Sequence, residues 1–433
     1  MATSLATIFL MVGGLIAGRF SARISPFSLL PAMALMLAVW SAGPTSLLGR
    51  EIELSIHQPQ AVPIALLVLL AVSICVAALG AEGHKNTSLI AAGVVASTTA
   101  LLAQNEIMLA AGIGSSILLC VRNAWAGSDW QENRSVSNRV AVSSVLAVMF
   151  LISAPILIQT QPPHPHAHLV STAIGLLIVS VAILSGAFPF GGIASATADP
   201  ETRYRWSVSL GCAQLMALLL VFSIFEGRFE IIELDYWSTA VGVSMAILAL
   251  TSIGCLASSD RYAAMECGRF GITAVAVAVT MAGGWYAWLG LFAGGIALIV
   301  TSVSVRTLFC RTRTAAGTLD KITQRIAMLT TIGFPGSLAF ILWWTAIQVA
   351  LSKDMMIAYL IGVAGLLLAI SLSLTFERLE LAGSPAVGST QYREVSRRWL
   401  AVLLVLLSLA LGIYSEPLFQ TISEWNVLIG TYP

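Results

Sequence analysis

The chain consists of long apolar runs separated by short polar segments. A membrane-spanning helix needs about 20 largely apolar residues, and fourteen runs approach or reach that length, of which the fifth and the tenth are short. The runs cover residues 2–18, 27–48, 61–79, 87–102, 106–120, 140–158, 170–192, 206–225, 238–257, 270–282, 285–305, 326–351, 355–376 and 399–418. The pattern predicts an all-α polytopic membrane protein with about fourteen transmembrane helices.

The composition is typical of a chain surrounded by lipid. Hydrophobic residues make up 58% of it and charged residues only 10%, whereas soluble domains are about 25% charged. The 22 basic and 21 acidic residues nearly cancel, which excludes the basic surface that binding to nucleic acid requires. The first run lacks a basic flank and a cleavage site, so we interpret it as a spanning helix and not as a signal peptide.

The basic residues test the spans independently, because cytoplasmic loops are enriched in Lys and Arg. If the N-terminus lies outside, 19 of the 22 basic residues fall on the cytoplasmic side, and only Arg50, Arg228 and Lys353 fall on the other. Every basic residue is then placed near a helix end or in a loop, and none at a helix centre. We therefore predict a multi-pass protein of a bacterial-type inner membrane, with both termini on the outer, periplasmic side.

Proline and glycine interrupt two of the runs in mid-segment. The seventh contains SGAFPFGG at 185–192, with Pro189, and the twelfth contains GFPG at 333–336, with Pro335. Proline removes a backbone donor and disfavours helix in the residue before it. Discontinuous helices in two halves of a chain are typical of the internal repeats of transporters. A simple proline kink in each helix is the alternative.

Several segments resemble the antiporter-like membrane subunits of proton-pumping NADH:quinone oxidoreductase, a family shared with Mrp antiporters, membrane hydrogenases and bicarbonate-uptake complexes. Residues 333–341, GFPGSLAFI, are similar to the family's GIPPLAGFI run at its broken twelfth helix. Weaker likenesses to its PFHxWLP segment, its LKRLLAYSS turn and its last helix fall at 189–200, 257–262 and 411–417. The likeness spans most of the chain.

The resemblance implies a fold of two related five-helix repeats with discontinuous helices 7 and 12. The whole chain, 1–433, is then one membrane domain. Its parts are N-terminal helices 1–3 in 1–80, repeat one in 87–225, repeat two in 238–376, and helix 14 with an outer tail in 399–433.

The departures from the family concern its proton route, which in active members runs through a glutamate on helix 5 and lysines on helices 7, 8 and 12. The matched motifs place these four positions at Ser115 (or the adjacent Gly114), Leu184, Gln214 and Trp343. The three lysines of the chain all fall in loops. A charge at mid-bilayer costs roughly 2.5–3.5 kcal/mol and is kept for a task. The resemblance therefore implies a degenerate member that has lost its own proton path.

Such a chain is expected to be a mainly structural, integral subunit of a larger respiratory or ion-translocating complex, in contact with other membrane subunits and with lipid. Two alternatives stay open: an active proton- or cation-translocating subunit of a quinone oxidoreductase, hydrogenase or bicarbonate-uptake complex, and an independent secondary transporter. The sequence has no nucleotide-binding glycine loop, catalytic triad or iron–sulfur cysteine cluster. No cofactor is expected, and any redox chemistry belongs to another subunit.

Three polar residues are candidates for a residual path. Glu106 begins the fifth run and is either a displaced proton-carrying group or, as we favour, an acid at the outer interface near a helix N-terminus. Glu266, near Arg261 and Arg269, predicts a buried ion pair or, as we favour, a salt bridge at the cytoplasmic face. Gln214 predicts either a bound water or an interhelical hydrogen bond.

Metal binding and cysteine chemistry are weakly indicated. His164, His166 and His168 alternate in a proline-rich outer loop, a spacing that can bind Zn or Cu, but no nearby carboxylate or cysteine completes a site. We therefore predict an ordinary loop and no metal. The six cysteines have no C-x-x-C spacing, and we interpret them as core residues.

Overall fold

The structure is a computed structural model that describes residues 114, 115, 118, 134–159, 167–184, 211, 214–222, 234–256, 261–305, 318–382, 394–416, 418–420 and 423. All regular structure in these ranges is helical. The elements are α1 (Arg134–Gln159), α2 (Ala167–Leu184), α3 (Leu234–Leu256), α4 (Arg261–Thr280), α5 (Gly284–Val300), a π-turn (Thr301–Val305), α6 (Thr318–Ile332), α7 (Leu338–Lys353), α8 (Met355–Ala382) and α9 (Glu394–Ile413). Residues 214–222 are also helical.

Three of the described helices are long and apolar enough to cross a membrane. They are Trp237–Leu256 in α3, Gly284–Val303 in α5 with the π-turn, and Met355–Arg378 in α8. The α5 segment is almost entirely buried inside the protein, whereas α8 exposes a row of large apolar side chains that includes Tyr359, Val363 and Leu366. Because a soluble helix would cover such a face with polar residues, α8 is suited to face lipid or a partner helix.

α4 is the central helix of the described part. Every residue from Gly268 to Gly283 is buried, and α4 packs against α3, α5, α7 and α8. The buried Trp237 of α3 donates its indole N–H to the carbonyl oxygen of Ala278, 3.2 Å away. The Lys353 ammonium, at the end of α7, lies 4.9 Å from the centre of the same indole ring. The first contact joins the start of α3 to α4, and the second joins the end of α7 to the start of α3.

The twelfth predicted span is two helices in the structure. Gly333 follows the end of α6 with a φ of 86°, and the backbone N–H of Phe334 donates to the carbonyl of Leu329 at 3.0 Å, which is a Schellman-type helix end. Pro335 comes next and cannot continue a helix. Ser337 then caps α7, because its hydroxyl oxygen accepts from the backbone N–H of Phe340 at 3.3 Å. This segment is a break between two capped helices and not a kink in one helix. The other predicted break, at Pro189, lies outside the described residues.

Three helices begin earlier than the apolar pattern predicts. α1 begins at Arg134, α4 at Arg261 and α6 at Thr318, six, nine and eight residues before the predicted starts at 140, 270 and 326. The first turns of all three carry charged side chains. A search for apolar runs leaves these charged turns out of the predicted spans, although charged residues can still be helical.

Gly412 of α9 lies directly against the break between α6 and α7. A Cβ at this position would overlap the carbonyl oxygen of Gly336, and it would lie 2.5 Å from the carbonyl carbon of Ser337 and 2.7 Å from that of Gly336. These are backbone atoms, so no side-chain rotation can relieve the overlap. The approach of α9 to the break therefore requires glycine here.

We expect Gly412→Ala to lower the free energy of unfolding by roughly 1–3 kcal/mol, the usual cost of overpacking. Gly362→Ala in α8 is the matched control, because nothing lies within 4 Å of a Cβ at that position. The control should be neutral or slightly stabilising, since alanine is the better helix former. Thermal unfolding of the purified protein in detergent measures both variants, and equal melting temperatures would contradict the close approach.

Candidate functional site

Two of the four predicted proton-path positions meet in the structure. Gln214 is fully buried, and its side-chain Nε2 donates to the main-chain carbonyl of Leu184, the last residue of α2, at 3.3 Å. Of the two roles predicted for Gln214, this contact is the interhelical hydrogen bond. The side-chain oxygen Oε1 is also buried and has no partner among the described residues. The second predicted role, binding of a water molecule, is compatible with this oxygen, because a buried polar atom is usually hydrogen-bonded to protein or to water.

The helical segment that carries Gln214 runs antiparallel to α5. Its Phe222 ring lies 4.9 Å from the ring of Trp288 between centroids, its Leu218 lies next to Gly294, and Gly211 lies next to Ser302 in the π-turn. Residues 211, 214, 218 and 222 recur at helical spacing and form one face. Gln214 is therefore on the face that contacts α5.

Ser302 supplies a second buried oxygen at this contact. Its Oγ is so close to Gly211 that a Cβ there would overlap it, and it has no hydrogen-bonding partner among the described residues. Ser302 lies in a π-turn, an irregularity found often at functional sites. The oxygens of Gln214 and Ser302 thus belong to facing surfaces about one helical turn apart. Both groups are neutral, so they can bind water but cannot carry a charge at neutral pH.

Trp343, at the predicted helix 12 position, fills its surroundings with an indole ring. It is buried in α7, and a Cβ on Gly333 would lie 2.6 Å from its Cδ1, while one on Gly365 of α8 would lie 3.0 Å from its Cζ3. The ring is therefore packed between the helix break and α8. Its Nε1 is buried and has no partner in the described part of the chain. The position holds a large, uncharged side chain where the family resemblance implies a lysine.

A salt bridge with a buried arginine lies on α4. Glu266 and Arg269, one turn apart on α4, form a salt bridge, with side-chain exposures of 18% and 2%. Arg269 lies about 12 Å along the helix from its first residue, at 1.5 Å per residue. The neighbouring Gly268 packs against Thr331, two residues before Gly333, so the pair lies close to the helix break.

One expectation is corrected. Arg269 lies inside α4 and not in the loop before it, whereas the position of the pair at the cytoplasmic face stays a prediction. The apolar pattern placed Arg269 before the helix because a hydropathy window excludes charged residues, although α4 begins nine residues before the apolar run. The spacing of three residues between Glu266 and Arg269 was the signal that predicted their interaction.

The remaining predicted residues are placed as follows. Ser115 is exposed, unlike the other three path positions, and the adjacent Gly114 packs against Val148 and Ile152 of α1. Glu106, Pro189, His164 and His166 lie outside the described residues, and of His168 only the helical backbone is described. Among described side chains no group of three or more metal-binding residues occurs. Pro335 is exposed at the break.

Similar structures are found among subunits of large membrane complexes. A chain of the Mrp complex from Dietzia sp. DQ12-45-1b matches with a TM-score of 0.70 and 13% identity, over 99% of this chain and 98% of that one. A chain of respiratory complex I from Thermus thermophilus with bound NADH matches with a TM-score of 0.67 and 14% identity, over 98% and 99%. A chain of the membrane-bound sulfane sulfur reductase, an archaeal respiratory membrane complex, matches with a TM-score of 0.65 and 11% identity, over 94% and 75%. No protein-family model matches the sequence, and neither does any curated protein.

These similarities establish the fold, because overlap of nearly whole chains at TM-scores of 0.67 and 0.70 does not arise from a few shared helices. The chain is a multi-pass membrane protein, all-helical in the residues that the structure describes, with the fold of membrane subunits from Mrp-type and respiratory complexes. At 11–14% identity these similarities show the fold alone.

Proposed function

We propose that this chain is an integral, mainly structural subunit of a larger respiratory or ion-translocating membrane complex, and that its own proton path has been lost. One observation carries the proposal: Trp343 occupies the helix 12 lysine position implied by the resemblance, packed between Gly333 and Gly365. Leu184, at the helix 7 position, is likewise buried and apolar. Neither side chain can bind or release a proton, so a route through these positions is interrupted twice.

The structural role assigns a use to the apolar outer faces. α8 exposes Tyr359, Val363 and Leu366 along one side, and α9 exposes Leu403, Leu406 and Leu407. In a complex, faces of this kind contact other membrane subunits or lipid. We further propose that the two repeats are 87–225 and 238–376, and that the chain lies in a bacterial-type inner membrane with both termini outside. The subunit would be non-catalytic.

Purification of the tagged chain in mild detergent, followed by mass spectrometry of co-eluting proteins, tests the proposal. We expect stoichiometric co-elution of other integral membrane subunits. Exposed-face variants such as Val363→Lys provide the matched comparison, because they should release partners without unfolding the chain. If extraction of native membranes with the mildest detergent gave a homogeneous monomer, that result would contradict the proposal and favour an independent secondary transporter.

The second candidate function is active proton translocation, and the buried pair of Glu266 and Arg269 favours it. A charged pair inside the helices costs desolvation free energy, and buried ionisable groups in membrane helices commonly belong to proton or ion pathways. The unpartnered oxygens of Gln214 and Ser302 would bind the waters of such a route. Glu106 is a further proton-carrying candidate, and loss of reconstituted proton flux in Glu106→Gln would support this function.

A further inference from the structure

Two cysteine thiols meet between α3 and α4. Cys255 of α3 points its Sγ toward the carbonyl of Ala264 in α4, 4.0 Å away. Cys267 of α4 points its Sγ toward the carbonyl of Thr251 in α3, 3.7 Å away. Each thiol contacts a carbonyl of the opposite helix, and that carbonyl lies about one turn before the other cysteine. The two cysteines therefore face each other.

The surroundings of the two thiols differ. Cys255 is buried, and its Sγ also lies 4.0 Å from the hydroxyl of Thr375 in α8. Cys267 is partly exposed, and its neighbour Glu266 belongs to the buried ion pair. Neither cysteine forms a disulfide in this structure. A reagent therefore reaches Cys267 first, and the buried Cys255 thiol lies next to it.

We propose that Cys255 and Cys267 form a dithiol site that reacts with small disulfides or other two-electron thiol oxidants to give an intramolecular disulfide between α3 and α4. Thiol–disulfide exchange proceeds by attack of a thiolate on a disulfide sulfur, and a reducing cytosol keeps such pairs as thiols at rest. The chemistry is independent of whether the subunit carries protons.

The reaction balances in two steps. Cys267 loses its proton and attacks one sulfur of the small disulfide, which forms a mixed disulfide and releases one thiolate. Cys255 then loses its proton and attacks the sulfur of Cys267, which forms the Cys255–Cys267 bond and releases the second thiolate. The two cysteines lose two electrons, the small disulfide gains them, and the two released thiolates take up the two protons.

The reaction would change how freely α3 and α4 move relative to each other. α3 and α4 are packed together already, and a covalent bond at this point would prevent them from separating next to Glu266. Disulfide geometry requires Cα atoms about 4.4–6.8 Å apart, a spacing that facing side chains of closely packed helices can reach. The oxidised form would therefore keep the fold and lose the freedom of the two helices to slide.

Oxidised glutathione, applied to the full-length protein in native membranes, tests the site. Remaining thiols are blocked with N-ethylmaleimide, and digestion with mass spectrometry then reports each cysteine. We expect Cys255 and Cys267 to lose maleimide labelling together, a cross-linked peptide joining them to appear, and dithiothreitol to reverse both changes. Cys75, Cys120, Cys212 and Cys310 serve as internal controls.

The near-isosteric Cys255→Ser variant gives the sharper result. Without the second thiol, Cys267 should stop at the mixed disulfide and retain glutathione. A trivalent arsenical, phenylarsine oxide, provides a measurement that needs no oxidation: it should block both thiols in the wild type and leave the single thiol of Cys267 unblocked in the variant. Unchanged labelling of both cysteines after oxidation, a glutathione adduct on wild-type Cys267, or a cross-link to a different cysteine would overturn the proposal.

Discussion

Replacement of Trp343 by alanine is expected to lower the free energy of unfolding by about 3–5 kcal/mol, the usual cost of removing a large aromatic side chain from a packed core. Trp343 is only 8% exposed, and its ring contacts Gly333 at the helix break and Gly365 in α8. Neither glycine has a side chain that could fill the space. The variant therefore leaves a cavity at the junction of α6, α7 and α8.

The adjacent Trp344 is the matched control for this prediction. It lies on the same helix, is 53% exposed, and stacks on Phe340 with ring centroids 6.4 Å apart. Because it fills no internal space, Trp344→Ala should cost about 1 kcal/mol or less. Reversible denaturation in detergent micelles, followed by circular dichroism, measures both variants. Similar losses at 343 and 344 would contradict the packing of Trp343.

The second large effect is expected for the ion pair in α4. Removal of one partner of a buried salt bridge leaves an uncompensated charge and costs about 3–5 kcal/mol. Glu266→Gln and Arg269→Gln should each show this loss. The double variant Glu266→Gln/Arg269→Gln removes both charges and should recover most of the stability, which a double-mutant cycle measures as a coupling between the two residues.

Arg378 provides the control for a general effect of removing arginine. It is exposed near the end of α8, where its guanidinium donates to the carbonyl of Leu256 at 2.9 Å. Arg378→Gln should cost about 1 kcal/mol, because the carbonyl can then bind water. If Arg269→Gln were as mild as Arg378→Gln, or if the double variant were no better than the singles, the pair would not be buried as described.

Much of the fold follows from local sequence. The break between α6 and α7 is an example, because Gly333, Pro335 and Ser337 each impose a local geometry that needs no distant contact. The all-helical class also follows from the lengths of the apolar runs. The predicted start of the helix that begins at Arg261 was wrong, because hydropathy indicates which residues prefer an apolar environment and not which residues are helical. The fourteen-helix count and the two repeats stay predictions.

The site was less predictable, because it depends on which helix faces contact one another. Gln214 was identified from the sequence as the helix 8 position that the family resemblance implies, but its bond to Leu184 requires the packing of two helices thirty residues apart. Ser302 gave no signal, since one serine in an apolar helix is common. The meeting of Cys255 and Cys267 likewise depends on the register between α3 and α4, which spacing along the chain does not define.

Proton flux in the assembled complex tests the loss of the proton path most directly. The complex that co-purifies with this chain would be reconstituted into liposomes with a pH-sensitive dye inside, and wild type would be compared with the Glu266→Gln/Arg269→Gln double variant, which removes the buried charges without leaving either unpaired. At equal assembly, a structural subunit predicts equal proton flux in the two preparations. Loss of flux in the double variant, with every subunit still present, would contradict it.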